Sequence, residues 1–343
     1  MLVSVTGGTG FVGSHSVAAL RHAGHRVRLL VRDESTVERA LGPLGVVDVD
    51  LVVGDVLDRA AVERLVRGTD AVLHAASVYS FDSRSRAATR RTNVAGTTIV
   101  LDAARRAGVG PTVHVSTVGA LFGAGSRVID ETSPVGRPRE AYLASKASAE
   151  AVARGHQDDG APVVISYPPA LLGPHDPKLG DQATRLRNAL RGLMPIWPTG
   201  GMPIGDVRDT AALHASLFDR PGANRHFGPG TYLTTRQYVR VLREVTGRAL
   251  PTAYLPARAM LPLGLLTDLV QRVWPWHIPA EYGAVYTCAC ATRVADSAGT
   301  NGIAARPVAR TFADTVRWLH RDGLLSARAA GAAVTELEPT QPI

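Results

Sequence analysis

From the first residue, short apolar runs alternate with stretches whose apolar positions recur at helical spacing. Leu2 to Val5 is a run, Gly13 to His22 carries helical spacing, and Val27 to Val31 is a second run. The pattern continues as Val49–Val53, an Ala60–Arg67 helix, Ala71–His74, a helix around Val94–Ala107, and Thr112–Ser116. Val163–Tyr167 follows a helix that begins near Tyr142. Continuous apolar strands interleaved with helices predict an α/β fold whose parallel sheet is covered on both faces. Right-handed crossovers make a doubly wound sheet the economical arrangement.

The texture changes after residue 167. Pro168, Pro169, Gly173, Pro174, Pro177, Pro195, Pro198 and Pro203 interrupt the chain, which predicts a loop-rich cap over the sheet's carboxyl edge, where ligands of such folds bind. Residues 168–325 are expected to form mainly this smaller, discontinuous substrate-binding cap, with about 204–228 returning to the 1–167 domain. Leu255–Pro279 is apolar and broken by Pro262 and Pro275; a substrate wall, a membrane-touching surface and helices packed on the core all fit it. Residues 326–343 are alanine-rich and polar and predict a disordered tail.

Composition narrows the class. The chain has 343 residues, 45% hydrophobic and 20% charged, enough for a large core and unlike a disordered chain. No apolar run approaches the ~18 residues of a membrane span. MLVSVTGGTG reads as a strand entering a turn rather than a leader, so a cytoplasmic address is expected. The net charge of +8 raises nucleic acid as a partner, yet the basic residues are scattered with no block beyond pairs, which argues against a binding groove. Lysine occurs only at Lys146 and Lys178. Cys288 and Cys290 flank one alanine; read as strand positions they point the same way, poorly placed for a disulfide and too few for a metal site, so inert buried thiols are expected.

The chemistry begins at TGGTGFVG. Gly7, Gly10 and Gly13, with Phe11 and Val12 between the last two, follow a strand and open a helix. Glycine permits positive φ and close backbone approach to a pyrophosphate, which then sits on the helix N-terminus. This predicts a Rossmann dinucleotide site. The second strand ends Leu30-Val31-Arg32-Asp33. Arg32, assisted by Arg39, is placed to take the phosphate of NADP, whereas Asp33 would grip the ribose of NAD; NADP is favoured, with NAD the alternative.

Tyr142 and Lys146 stand four apart at the start of the helix AYLASKASAE, so their side chains share a face. An ammonium one turn away, together with the positive nicotinamide ring, is expected to lower the phenol's pKa from its ordinary ~10 and make Tyr142 an acid–base. Lys146 would also donate to the ribose hydroxyls. The strand ending in Ser116 and Thr117 delivers a hydroxyl to orient the reacting carbonyl. Tyr79, Phe81, Trp197, Tyr232 and Trp274 are candidates for the substrate pocket by position.

Together these residues resemble the extended short-chain dehydrogenase/reductase family, or NAD-dependent epimerase/dehydratase family, over about residues 1–320. The likeness rests on Gly7-x-x-Gly10-x-x-Gly13, Asp55-Val56, His74-Ala75-Ala76, Asn93, Ser116-Thr117, Tyr142-x-x-x-Lys146, Pro168-Pro169 through Gly173-Pro174, and Val207-Arg208-Asp209. It implies that Asp55 and Val56 hold the adenine, that Ala75 and Ala76 line the pyrophosphate side, and that Pro168 contacts nicotinamide. Where NAD-using epimerases carry an aspartate this chain has Val31, and Val31-Arg32-Asp33-Glu34 is similar to the dihydroflavonol and cinnamoyl-CoA reductase branch, as is the ending HRDGLL. In that branch the catalytic hydroxyl is the position of Thr117, with Ser116 the fallback. The 3β-hydroxysteroid dehydrogenase branch is similar too and would suit the apolar 255–279 segment. The resemblance also implies a homodimer paired through the helices near Asn93 and Tyr142. The expected activity is NADP-dependent reduction or oxidation of a small, largely apolar substrate; a nucleotide-sugar epimerase or dehydratase retaining NAD, and a non-catalytic redox sensor, are the alternatives.

Overall fold

A computed structural model describes residues 1–79, 86–123, 128–219, 223–262, 282–296 and 298–335. Phe81, Trp274, the apolar segment from 263 to 279 and residues 336–343 lie outside the described residues.

Seven strands form one parallel sheet in the spatial order Arg225–Phe227, Val163–Tyr167, Thr112–Val115, Ala71–His74, Leu2–Thr6, Arg26–Val31, Asp50–Val53. The first strand lies inside the sheet, fifth in that order. Thr6 registers with Leu30 on one side and His74 on the other, so chain connections leave it in opposite directions and a crevice opens at its carboxyl end. Val3 and Val5 are fully buried, and so are Ser4 and Thr6 on the other face. Burial of both faces is why the strand reads as apolar without clean alternation. Ser4 donates to the Leu65 carbonyl at 2.8 Å, which satisfies its hydroxyl.

The helices Phe11–His22 and Val207–Asp219 pack on one face and Arg59–Val66 and Gly96–Arg106 on the other. His214 ties the first pair to the sheet, meeting Ser16 at 2.8 Å and Ser166 at 3.0 Å. A separate apolar cluster holds the cap, where Leu186, Leu242, Phe312 and Val316 are fully buried around a three-stranded sheet of Ala170–Leu172, Gly201–Asp206 and Thr231–Thr234.

Two expectations are corrected. Cys288 and Cys290 are not strand residues; they end the helix Tyr282–Cys290 as free thiols, where residues two apart face away from each other. The predicted tail is ordered as far as Thr335. Ser326 caps a helical turn at Ala327–Ala330, Arg317 donates to the Ala333 carbonyl at 2.9 Å, and Ala329, Ala330 and Ala333 are buried in the cap core. Alanine-rich composition there supplies small side chains for close packing rather than disorder.

An ionic hinge joins cap to sheet. Arg208 donates to both oxygens of the fully buried Asp206 at 2.9 and 2.7 Å and to Asp314 of the Val308–Arg321 helix at 2.7 Å. Burial opposes ionisation of Asp206, yet Arg208 holds its carboxyl below the ordinary 3.8. Its stabilising contribution is therefore present above that value and lost as pH falls through the lowered one. Arg208→Leu should cost about 3 kcal/mol, because it leaves a buried carboxylate without its counterion. A lower urea midpoint together with a flatter acid limb of stability against pH is the expected signature; an unchanged midpoint would show the hinge to be dispensable.

Candidate active site

A cleft of about 530 Å³ opens at the crevice, lined at one end by Gly7, Gly10, Phe11, Val12, Gly13 and Arg32, and further along by Ala75, Ser116, Thr117, Tyr142, Lys146 and Pro168. The glycine turn has the shape a pyrophosphate needs. Gly7 has φ +76°, and a Cβ there would lie 2.6 Å from the backbone of Ala75 and Ala76; a Cβ on Gly13 would lie 2.1 Å from the Gly7 carbonyl oxygen. The helix Phe11–His22 begins behind this turn with no side-chain cap and no acidic residue in its first turn, leaving N–H groups and the positive end of its dipole toward an anion.

Other residues expected at the cofactor lie off this lining. Arg39 is exposed on the helix Ser35–Leu41. Asp55 is half-buried, accepting from the Leu57 N–H at 2.9 Å and standing 4.0 Å from Arg32. Val56 is buried in the core against Gly96. Ala76 donates its N–H to Thr6 Oγ1 at 3.3 Å and supports the turn from beneath.

Glu140 starts the helix Ala141–Asp158 by accepting the N–H groups of Tyr142 and Leu143 at 2.9 and 2.8 Å. Tyr142 and Lys146 are both buried at the cleft wall. The Lys146 ammonium donates to the Val115 carbonyl at 2.8 Å, and burial pulls its pKa down to about 8 against the opposing charge of Glu150. Burial works against the expected lowering of the Tyr142 pKa. Burial pushes the phenol well above 10, and Tyr79, Glu140 and Asp181 add to the effect. Loss of water around the phenolate is the largest cause. His74 bridges Thr6 and Thr97 at 2.7 and 3.0 Å beneath the site, and burial, with Lys146 adding, drops its pKa to about 3, so it is neutral.

The two candidate hydroxyls differ in their partners. Ser116 donates to Glu150 at 2.5 Å. That fully buried carboxylate also receives Tyr167 at 2.6 Å and Arg154 at 2.7 Å. Thr117 Oγ1 has only 3.3 Å contacts, to the Pro168 carbonyl and from the Gly119 N–H. Sequence reading missed Glu150, although its place four residues after Lys146 puts it on the same helix face. Asn93 sits in a π-helical segment, Arg91–Ala95, and clamps the cleft wall to this helix. It receives the Val78 N–H at 2.8 Å and donates to the Val78 carbonyl at 3.1 Å and to Ser145 at 2.9 Å.

Of the aromatic candidates, Tyr79 lines the cleft with its ring edge-on to Tyr142, centroids 4.6 Å apart. Trp197 is buried in the cap core beside Tyr238, and Tyr232 lies under Arg293. The far half of the cleft carries Phe122, Leu143, Leu171 and Met202, with Lys178 and Arg185 among them. An open groove of about 600 Å³ runs between Arg59 and residues 87–99; it carries arginines but no acid–base pair. Among the described residues no cluster fit to hold a metal ion occurs, and no helix is long and apolar enough to cross a membrane.

Comparison with known proteins agrees with this geometry. Residues 3–230 match the NAD dependent epimerase/dehydratase family. A putative dihydroflavonol 4-reductase of Synechocystis is 37% identical over 220 residues, 63% of this chain and 62% of that protein. A farnesyl-dihydroquinoline-oxide ketoreductase of Stigmatella aurantiaca is 30% identical across 97% of both chains. The crystal structure of gox2253 superposes with a TM-score of 0.79 at 26% identity, covering 95% of this chain and 99% of that one. With its glycine turn and Tyr–Lys helix in one cleft, the chain belongs to the NAD-dependent epimerase/dehydratase family and is an NAD(P)-dependent oxidoreductase of the extended short-chain dehydrogenase/reductase type.

Proposed function

We propose that the protein is an NADP-dependent reductase or dehydrogenase that acts on the carbonyl or hydroxyl of a small, largely apolar substrate, with Tyr142 as its acid–base. The observation that carries this reading is the buried Tyr142 phenol on one cleft wall with Lys146 one helical turn away. When bound, the nicotinamide dinucleotide supplies or accepts a hydride at its ring. The glycine turn and the N-terminus of the Phe11–His22 helix would hold the pyrophosphate, and Arg32 would take the additional phosphate of NADP. Lys146, fixed by the Val115 carbonyl, keeps N–H donors for the ribose. A phenol with a raised pKa stays protonated at neutral pH, and this suits donation of a proton to the carbonyl oxygen as it gains negative charge.

Thr117 is the hydroxyl that orients the carbonyl, because freeing Ser116 would cost a buried carboxylate one of its donors. Thr117→Ala should lower kcat/KM by about 30-fold, the loss of one hydrogen bond in a dry site, and Ser116→Ala by less. The reverse order would move the role to Ser116.

The test of the whole reading is a scan of NADPH oxidation against aldehydes, ketones, steroids and acyl thioesters. For cofactor choice, NADPH should bind about tenfold or more tightly than NADH, and Arg32→Ala should erase the difference. Equal affinities in the parent protein, or firmly retained NAD on purification, would sink the NADP assignment.

A further inference from the structure

The far half of the cleft holds a cation that, among the described residues, makes no close ion pair. Arg185 lies on the helix Asp181–Leu190, which presents Asp181, Gln182 and Arg185 to the cleft. Its polar neighbours are soft. Nη1 points to the Met202 sulfur at 3.8 Å, and the Cys288 thiol lies beside it; sulfur is a weak acceptor for a guanidinium. Among the described residues no carboxylate pairs with it within 4.0 Å, in contrast to Arg208, Arg306 and Arg154. The half-buried guanidinium is held by the distant charge of Asp181 and by soft thioether and thiol neighbours, and among the described residues its fork makes no hydrogen bond to oxygen, an arrangement that a ligand oxygen anion would complete.

The anion's charge can be bounded. The other cation of this half is Lys178, exposed at the mouth. The nearby carboxylates are Asp176, committed to the N–H groups of Lys178 and Gly180 at 3.1 and 2.8 Å, and Asp181, one turn from Arg185. One inner cation with carboxylates close by suits a single negative charge; a diphosphate would bring two or more charges against Asp181. The reacting centre is close, since the Tyr79 ring touches that of Tyr142 and its hydroxyl meets Gln182, three residues before Arg185. Phe122, Leu143, Leu171 and Met202 line the space around them.

We propose that Arg185 reads a carboxylate on the substrate, so that the protein acts on an apolar keto or hydroxy acid whose carboxylate lies one tyrosine's breadth from the reacting oxygen. This rests on the oxidoreductase reading above and narrows its substrate to monoanions. The planar fork of arginine pairs both carboxylate oxygens and sets the skeleton's orientation toward Tyr142.

The test uses the full chain saturated with NADPH and two matched pairs, benzoylpropionate and a keto bile acid, each with its methyl ester. Binding is read by calorimetry and turnover by NADPH oxidation. At least one acid should bind about tenfold or more tightly than its ester, the worth of a charge-assisted pair. Arg185→Met should bring that ratio to about one, and Arg185→Lys, which keeps charge but loses the fork, should fall between. Equal binding of acid and ester in both pairs, no binding of any of the four, or an unchanged ratio in Arg185→Met overturns the proposal. Turnover separates it from the reading beneath. Neutral ketones reduced in a Tyr142-dependent way with no preference for acids would refute the carboxylate site alone. An acid preference with turnover indifferent to Tyr142→Phe would refute the mechanism and leave the site standing.

Discussion

Tyr142→Phe should lower kcat by about a thousandfold, in the range that loss of a positioned acid–base brings. The variant keeps the ring that packs edge-on against Tyr79 and the backbone N–H that Glu140 accepts, so the wall should survive and only the exchangeable proton be removed. NADPH binding, followed by its fluorescence, should remain within a few-fold of the parent. Undiminished turnover would remove Tyr142 from the chemistry, and equal loss of cofactor binding and turnover would make it a structural residue.

Gly13→Ala should raise the NADPH dissociation constant by about a hundredfold and lower Tm, because overpacking of this kind costs about 3 kcal/mol. The added methyl would stand 2.1 Å from the Gly7 carbonyl oxygen and 2.7 Å from its carbon. Neither atom is the end of a flexible side chain, so the turn must lift from the helix and its N–H groups lose their common focus. Gly155→Ala is the matched control. That glycine is exposed within the Ala141–Asp158 helix, and a methyl added there would meet nothing within 4 Å, so the change should be neutral or slightly stabilising. Equal effects from the two substitutions would show that the close approach at Gly13 does not govern binding.

Much of the fold was legible because its determinants are local. Ala71–His74 and Val163–Tyr167 are short apolar runs that occur as strands with the bounds their sequence predicts, and the doubly wound sheet follows from their alternation with helices. Tyr142 and Lys146 are four apart, which places them on one face of any helix. The glycines needed only a strand before and a helix after. Cys288 and Cys290 misled because a run of small apolar residues suits either element, and packing on the cap selected the helix. The alanine-rich end misled in the same way, since small side chains serve a tight interface as well as a loose tail.

The sequence by itself determined the order of the elements, the glycine turn and the pairing of a phenol with an ammonium, all set by spacing along one backbone. Only the tertiary structure decided how deeply the phenol is buried, that Glu150 holds Ser116 while Thr117 stays lightly bonded, and that Arg185 enters the cleft beside sulfur. Those outcomes depend on which distant segments meet and how much water they expel. Desolvation and partner choice are properties of a place in space, and no stretch of chain carries them alone.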